Sequence, residues 1–307
     1  MTRAVEAPLD GGLAIKRPVM HQSSIEERLG AHVSIQGGVH TAPARATDIG
    51  ASAIQVFTKT PNQWRDPPIP PETRRAFKRA YGESGLRCIV AHDSYLINLA
   101  SPDPALNARS VESFTLELAR CKYLGIPGVV SHPGNYIDDR ARGLERNAAG
   151  IAQALKAVPG VMVYLETTAG CGTALGSTFE ELAELRDRIP ARYRRRIGFC
   201  ADTCHLYSAG YDLVDQFDAV WDAWDRIIGL EHLRCLHLND SKTPFGSRRD
   251  RHELIAEGSL GAGPFARIMT DPRFAHVPRI LETPKGEDAT NDRLMLARLR
   301  GYASSAR

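Results

Sequence analysis

The sequence predicts an α/β protein, a closed (β/α)8 TIM barrel in one domain, and three observations carry that prediction. Eight short apolar runs recur from Leu29 to near the end of the chain. Amphipathic stretches of helical spacing separate them, the pattern of parallel β/α units. Six of the runs end in a histidine, a carboxylate or both. In such barrels the chemistry sits at the C-terminal ends of the strands. Fold and site are thus read from different features, and they agree.

The predicted strands lie near 29–34, 53–58, 88–92, 128–132, 161–166, 197–202, 233–238 and 279–283. The first holds His32 near its end, and the second leads into a loop bearing Pro67, Pro68, Pro70 and Pro71. Cys88-Ile89-Val90-Ala91 runs into His92. Asp103-Pro104 then starts a helix whose stripe is Val111, Phe114, Leu118 and Cys121, with Gly125 as its stop. Val129-Val130-Ser131 runs into His132, followed by the stripe Leu144, Ala148, Ile151 and Leu155, ended by Gly160. Val161 to Leu165 runs into Glu166, and Thr178 and Glu181 have capping-box spacing before Leu182 and Leu185. Ile197 to Ala201 runs into Asp202, with His205 three residues on. Phe217, Val220, Trp224 and Ile227 form the next stripe. Leu233 to Leu236 runs into His237, and Arg279-Ile280-Leu281 into Glu282.

The chain has 307 residues, 43 % hydrophobic and 24 % charged, which is the balance of a soluble globular protein. Residues 29–307 are expected to form the barrel, and 1–28 a flexible tail without a signal-peptide core. No apolar run approaches the roughly 18 residues of a membrane span. The six cysteines show no CxxC spacing and read as reduced residues of a cytoplasmic protein. A net charge of +3 permits a phosphate-bearing partner but requires any such binding to come from a local basic face. A monomer is the default expectation.

Buried histidines and carboxylates are costly unless paired or metal-bound. After the seventh run, Asp250 and His252 stand two apart, so an extended loop turns both to one side. The donors are then five histidines (92, 132, 205, 237 and 252) and four carboxylates (Glu166, Asp202, Asp250 and Glu282). Histidine with carboxylate is the ligand chemistry of catalytic zinc. Nine donors exceed one ion, and three per ion accommodate three; manganese or iron also fits part of the set. His32 reads as a supporting residue rather than a ligand. Three divalent ions, four carboxylates and a hydroxide sum to about plus one, which favours an anionic substrate such as a phosphodiester. Metals ~3.5–4 Å apart clamp the attacking and leaving oxygens of an in-line displacement. No serine or cysteine nucleophile is then required.

The segments that hold these residues resemble the endonuclease IV family of abasic-site nucleases. They are Gly30-Ala31-His32-Val33-Ser34, Phe57-Thr58-Lys59, His92-Asp93-Ser94-Tyr95-Leu96-Ile97-Asn98-Leu99 and His132-Pro133-Gly134. Asp202-Thr203-Cys204-His205, His237-Leu238-Asn239-Asp240-Ser241-Lys242, Phe245-Gly246-Ser247-Arg248 and Asp250-Arg251-His252 complete the set. The resemblance implies a TIM barrel with three zinc ions. By motif, His92, His132 and Glu166 would hold one. Glu166 would bridge to a second, held also by Asp202, His237 and Glu282, and His205, Asp250 and His252 would hold the third. The implied reaction is hydrolysis 5′ to an abasic site in double-stranded DNA, leaving a 3′-hydroxyl and a 5′-deoxyribose phosphate. Removal of blocking groups from 3′ ends is also implied, with Glu282 and Glu166 as the catalytic carboxylates, Glu282 orienting or deprotonating the nucleophile. Work at the bacterial nucleoid follows from that substrate. Thr167 stands where the family carries asparagine, and Asn62 where an arginine is common.

A flipped abasic nucleotide leaves a hole that side chains fill. By resemblance Gln63, Tyr95 and Leu96 are the candidates. Lys59, Arg65, Lys242, Arg248, Arg249, Arg251 and Lys285 are expected to meet phosphates, which fixes position without reading sequence. Arg194-Arg195-Arg196 precedes the sixth strand, at the far end of the barrel, and reads as a solvated face. Two rival functions share much of this pattern. A sugar isomerase or epimerase on the same barrel needs fewer ions and no basic rim. A non-catalytic lesion-binding module would not need a complete ligand set.

Overall fold

A computed structural model describes residues 28–65 and 67–305. The expected tail therefore lies outside the described residues, Arg28 excepted. The chain alternates β1 (Leu29–His32), α1 (Ala42–Asp48), β2 (Ala53–Phe57), α2 (Pro71–Glu83), β3 (Cys88–His92), α3 (Pro104–Leu124), β4 (Gly128–Ser131) and α4 (Arg140–Ala157). It continues with β5 (Met162–Glu166), α5 (Phe179–Arg188), the single turn α6 (Ala191–Arg194), β6 (Ile197–Asp202), α7 (Thr203–Ala209), α8 (Phe217–Ile227) and β7 (Leu233–Leu238). A two-stranded ribbon, β8 (Asp240–Ser241) with β9 (His252–Glu253), precedes α9 (Gly263–Thr270), β10 (Arg279–Leu281) and α10 (Thr290–Ser305).

Eight strands pair in parallel and close, because β10 lies beside both β7 and β1. The predicted strands fall on the observed ones within a residue or two. Only the ribbon was not foreseen, since two-residue strands carry no alternation to read.

The helix ends show why the local sequence folds as it does. Asp103 accepts from the Ala105 and Leu106 amides, Pro104 starts α3, and Gly125 closes it at φ 87°. Thr178 caps α5 through the Glu181 amide. The capping box is only half formed, however. The Glu181 carboxylate turns away to the Gly176 and Ser177 amides and to Arg140, binding α5 to the loop after β5 and to α4. Arg196 departs from the solvated reading. Its guanidinium donates to the carbonyls of Leu155, Val158 and Val161, which locks the end of α4 to the start of β5.

Two apolar layers hold the barrel. The larger lies between sheet and helices and includes Phe114, Phe179, Trp221, Trp224 and Phe265. The smaller fills the barrel itself with Ala53, Val90, Val130, Tyr164, Cys200, Cys235 and Ile280. Gly128 is required there, because a side chain on it would strike the Tyr164 ring. This plug lies inside the barrel beneath the polar groups of the C-terminal face. All six cysteines are free thiols, four of them buried. Among the described residues no helix is long and apolar enough to cross a membrane.

Candidate metal centre

Glu166 is the hub of the C-terminal face. It ends β5, is fully buried, and its two oxygens serve different sides of the barrel. Oε2 lies 2.9 Å from His132 Nε2 and 3.2 Å from His92 Nε2. Oε1 lies 2.8 Å from His237 Nδ1 and 3.5 Å from His205 Nδ1. Burial pushes the Glu166 carboxyl up, but the charges and hydrogen bonds of His237 and His132 outweigh it and hold the group well below the usual range. Burial opposes charge on His92 as well. Its hydrogen bond and ion pair with Glu166 prevail and raise it to about 9.

The other donors extend this hub. His237 Nδ1 also lies 3.2 Å from Glu282 Oε2 and 3.9 Å from Asp202 Oδ2. Asp202 Oδ2 is 3.5 Å from His252 Nε2. Asp250 spans the far side, with Oδ2 3.1 Å from His205 Nε2 and Oδ1 3.1 Å from His252 Nε2. All nine predicted donors thus form one connected cluster on one face of the barrel.

The donors fall into overlapping groups whose ligand atoms lie within 4.8 Å of one another. One is His92, His132 and Glu166, and another is Glu166, Asp202, His237 and Glu282. The predicted trio of His205, Asp250 and His252 divides between two groups, Asp202–His205–His252 and Cys204–Asp250–His252. Cys204 is the weaker donor of its group, since burial pushes its thiol up to about 11 and the thiolate is the ligating form.

The cluster fits divalent cations on its own geometry. His205 Nε2 and His252 Nε2 are buried and face the Asp250 oxygens at 3.1 Å, with no well-aligned hydrogen bond between them. Buried polar atoms are otherwise almost always satisfied. Buried imidazole and carboxylate groups converging on one face are the donor set that zinc, manganese or iron takes.

Supporting residues fix the ligands. His205 Nδ1 meets Thr167 O at 2.8 Å, and His92 Nδ1 meets Asp93 O at 2.9 Å. Thr167 thus serves through its backbone, and its Oγ1 accepts from the Asp202 amide. Two supporting residues escape the strand-end reading. Gln55 is fully buried in the middle of β2, with Oε1 2.8 Å from His237 Nε2 and Nε2 2.5 Å from Glu282 Oε1. Asn239 donates to Asp202 Oδ2 at 2.6 Å and accepts from the Glu282 amide at 3.0 Å. A glutamine inside the apolar run Ala53–Phe57 was a readable signal, because a buried polar residue is the informative exception. His32 sits 3.3 Å from Glu282 Oε1, and burial lowers it to about 4, so it stays neutral.

A cavity of about 540 Å³ opens above the cluster, walled by His92, His132, Tyr95, Phe57, Glu282 and Lys285. Tyr95 is 62 % exposed and stands edge-on to Phe57 at its rim, and Leu96 beside it is half-buried. Gln63 is exposed in the loop after β2. Arg65, Lys242, Arg248, Arg249 and Arg251 are exposed in loops after β2 and β7, on the same face. Lys285 is half-buried against Asp292. Lys59 differs from the expectation. It is 5 % exposed, with its ammonium 2.9 Å from Gln63 O and 3.2 Å from Ser113 Oγ, so it supports the loop from beneath.

Residues 43–300 match the family model described as a xylose isomerase-like TIM barrel. Over 279 residues the chain is 48 % identical to a probable endonuclease 4 of Chloroflexus aggregans, covering 89 % of this chain and 96 % of that protein. A probable endonuclease 4 of Geobacter sulfurreducens is 45 % identical over 282 residues, 90 % of this chain and 94 % of that one. The crystal structure of endonuclease IV from Thermus thermophilus superposes with a TM-score of 0.79 at 38 % identity, covering 89 % and 99 % of the two chains. A D-tagatose 3-epimerase-like protein shares the fold alone, at 16 % identity and a TM-score of 0.68.

Proposed function

The chain belongs to the endonuclease IV family, and from that premise we propose that it is a metal-dependent AP endonuclease. Its substrate is double-stranded DNA with an abasic site. It hydrolyses the phosphodiester on the 5′ side, leaving a 3′-hydroxyl and a 5′-deoxyribose phosphate, and it also clears blocked 3′ ends. The observation that carries this reading is the connected set of nine donors around Glu166 and Asp202. A sugar isomerase on the same barrel has no use for Asp250 and His252.

Three zinc ions are the occupants we infer. His92, His132 and Glu166 would hold the first, Glu166, Asp202, His237 and Glu282 the second, and His205, Asp250 and His252 the third. Bound there, they supply positive charge to the phosphodiester and lower the pKa of water toward neutrality. The remaining roles belong to the chain. Glu282 is the carboxylate at the cavity wall, 18 % exposed, and its Oε1 is held by Gln55. That position suits it to orient a water and take its proton at Oε1 or Oε2. Glu166 was expected to be catalytic alongside Glu282; being fully buried, it would act instead as the carboxylate shared by the first two ion sites, while fixing the imidazoles around it. Tyr95 and Leu96, with Gln63, fill the space left by the flipped nucleotide. The exposed arginines and Lys242 hold phosphates. A single chain supplies every donor, so no second copy is needed to complete the site, and the setting we infer is a monomer acting on DNA in the cytoplasm.

The test is incision of a duplex carrying one abasic analogue. Metal-replete protein should cut on the 5′ side, lose that activity after chelation, and regain it with zinc. An intact duplex after incubation with metal-replete protein would sink the reading. One ion per chain by elemental analysis would return the sugar isomerase to contention.

A further inference from the structure

The loop after β4 presents Ile137 in a conformation that β-branched residues avoid. Its φ is 60° and its side chain is 63 % exposed. The Asp138 amide donates to Tyr136 O at 2.6 Å, so Ile137 is the centre of a three-residue turn of the strained, positive-φ kind. Glycine, asparagine or aspartate would meet this backbone at lower cost. Isoleucine carries the strain and leaves its side chain in water, so folding stability does not account for it.

The surrounding structure holds the turn in place. Arg146 donates to Tyr136 O at 3.1 Å, grips both Asp138 oxygens, and reaches Ala100 O at 2.8 Å. The Tyr136 amide bonds Thr173 O, and α4 passes close enough that a side chain on Gly143 would strike Tyr136. Asn98 and Asn135 exchange hydrogen bonds, Asn98 Oδ1 accepting from the Asn135 amide at 2.9 Å and its Nδ2 donating to Asn135 O at 3.0 Å. Asn98 and Ala100 belong to the loop that carries Tyr95. The two exposed side chains, Tyr95 and Ile137, therefore stand on loops pinned to one another at the catalytic face. Strain that its surroundings over-determine is characteristic of ligand clamps.

We propose that Ile137 is an apolar wedge against the minor groove of the bound duplex, beside the step at which Tyr95 sits. The inference rests on the nuclease reading above and adds a contact to it. Rigid apolar side chains are the means by which proteins part a base step from the minor groove. The other polar groups of the turn are engaged by Arg146, so the isoleucine is what the loop offers a partner. The carboxylates beside it are engaged, Asp138 by Arg146 and Asp139 by the Arg142 amide at the start of α4, so they leave the isoleucine as the exposed contact of the turn.

Ile137→Asn and Ile137→Gly both accept the positive φ and remove the wedge, and Ile137→Val keeps it. The full chain, metal-loaded, is assayed on an abasic duplex with 2-aminopurine at the flanking step. For Asn and Gly, KM should rise about fivefold or more through lost apolar contact, while kcat stays within twofold. Their melting temperature should hold or rise, and the 2-aminopurine signal seen on binding wild type should disappear. Ile137→Val should stay near wild type. A KM within twofold of wild type for both Asn and Gly overturns the wedge, as does a valine variant impaired like asparagine. A wild-type protein that does not cut the duplex overturns the nuclease reading itself, and this inference with it.

Discussion

Gln55 ties His237 to Glu282 across the barrel mouth. Its Oε1 meets His237 Nε2 at 2.8 Å and its Nε2 donates to Glu282 Oε1 at 2.5 Å. The first contact occupies Nε2 and turns Nδ1 toward Glu166, Asp202 and Glu282. The second fixes the carboxylate that we assign to proton transfer.

Gln55→Leu should therefore damage both functions while keeping the side-chain volume. Loss of such a support costs roughly 10–100-fold in metal affinity or activity. The check is zinc content after dialysis against a weak chelator, paired with kcat on the abasic duplex. A variant that keeps its metal and its turnover would leave Gln55 as mere packing.

Glu282→Gln retains the shape of the carboxylate and removes its ability to accept a proton. Turnover should fall by about 10²–10⁴-fold, the range for a lost general base. Abasic-duplex affinity should change little, because Gln63, Tyr95, Leu96 and the basic rim are untouched. Single-turnover kinetics at saturating protein separate the two quantities. Near-wild-type chemistry would move the proton-accepting role to another group.

The metal-capable donors were legible in the sequence for a physical reason. Polar groups such as His237 and Glu166 are costly at the end of an apolar strand, so their presence there announces a use. Gln55 lies in mid-strand and belongs to the same logic, but reading strand ends alone passes it by. Lys59 illustrates the opposite limit. Its position after β2 is correct, yet whether a lysine points outward or beneath its loop depends on what α3 places under it, and no local pattern reports that. The turn at Ile137 was equally hidden, because φ at a non-glycine residue is set by its tertiary anchors.

Glu117 gives a pH signature independent of the metal donors. It is 1 % exposed on α3, bonded to the Thr58 hydroxyl. Burial raises its carboxyl to about 7, despite that hydrogen bond and the charges of Arg120 and Lys59. The folded protein then binds more protons than the unfolded chain between the ordinary glutamate value of 4.5 and about 7. Stability from this group is present below that window and is lost as pH rises through it. Urea unfolding of metal-loaded wild type and Glu117→Gln at pH 5 and pH 8 should show it. The variant should lose less stability between the two, by at least about 1 kcal/mol. Parallel losses would mean that Glu117 is ionised throughout.

Lys59 and Lys242 separate support from phosphate contact. A lysine on a phosphate releases a counterion when DNA binds, so its removal lowers the slope of log affinity against log salt by about one. Lys242 is exposed on the loop after β7, and Lys242→Met should show that change with only modest weakening at high salt. The Lys59 ammonium is instead held by Gln63 O and Ser113 Oγ beneath the loop. Lys59→Met should displace Gln63, weaken abasic binding at every salt concentration, and leave the slope unchanged. Anisotropy titrations across a series of salt concentrations read both quantities from one data set. Equal slope changes in the two variants would place Lys59 on the phosphate backbone after all, and would require its loop to open when the duplex arrives.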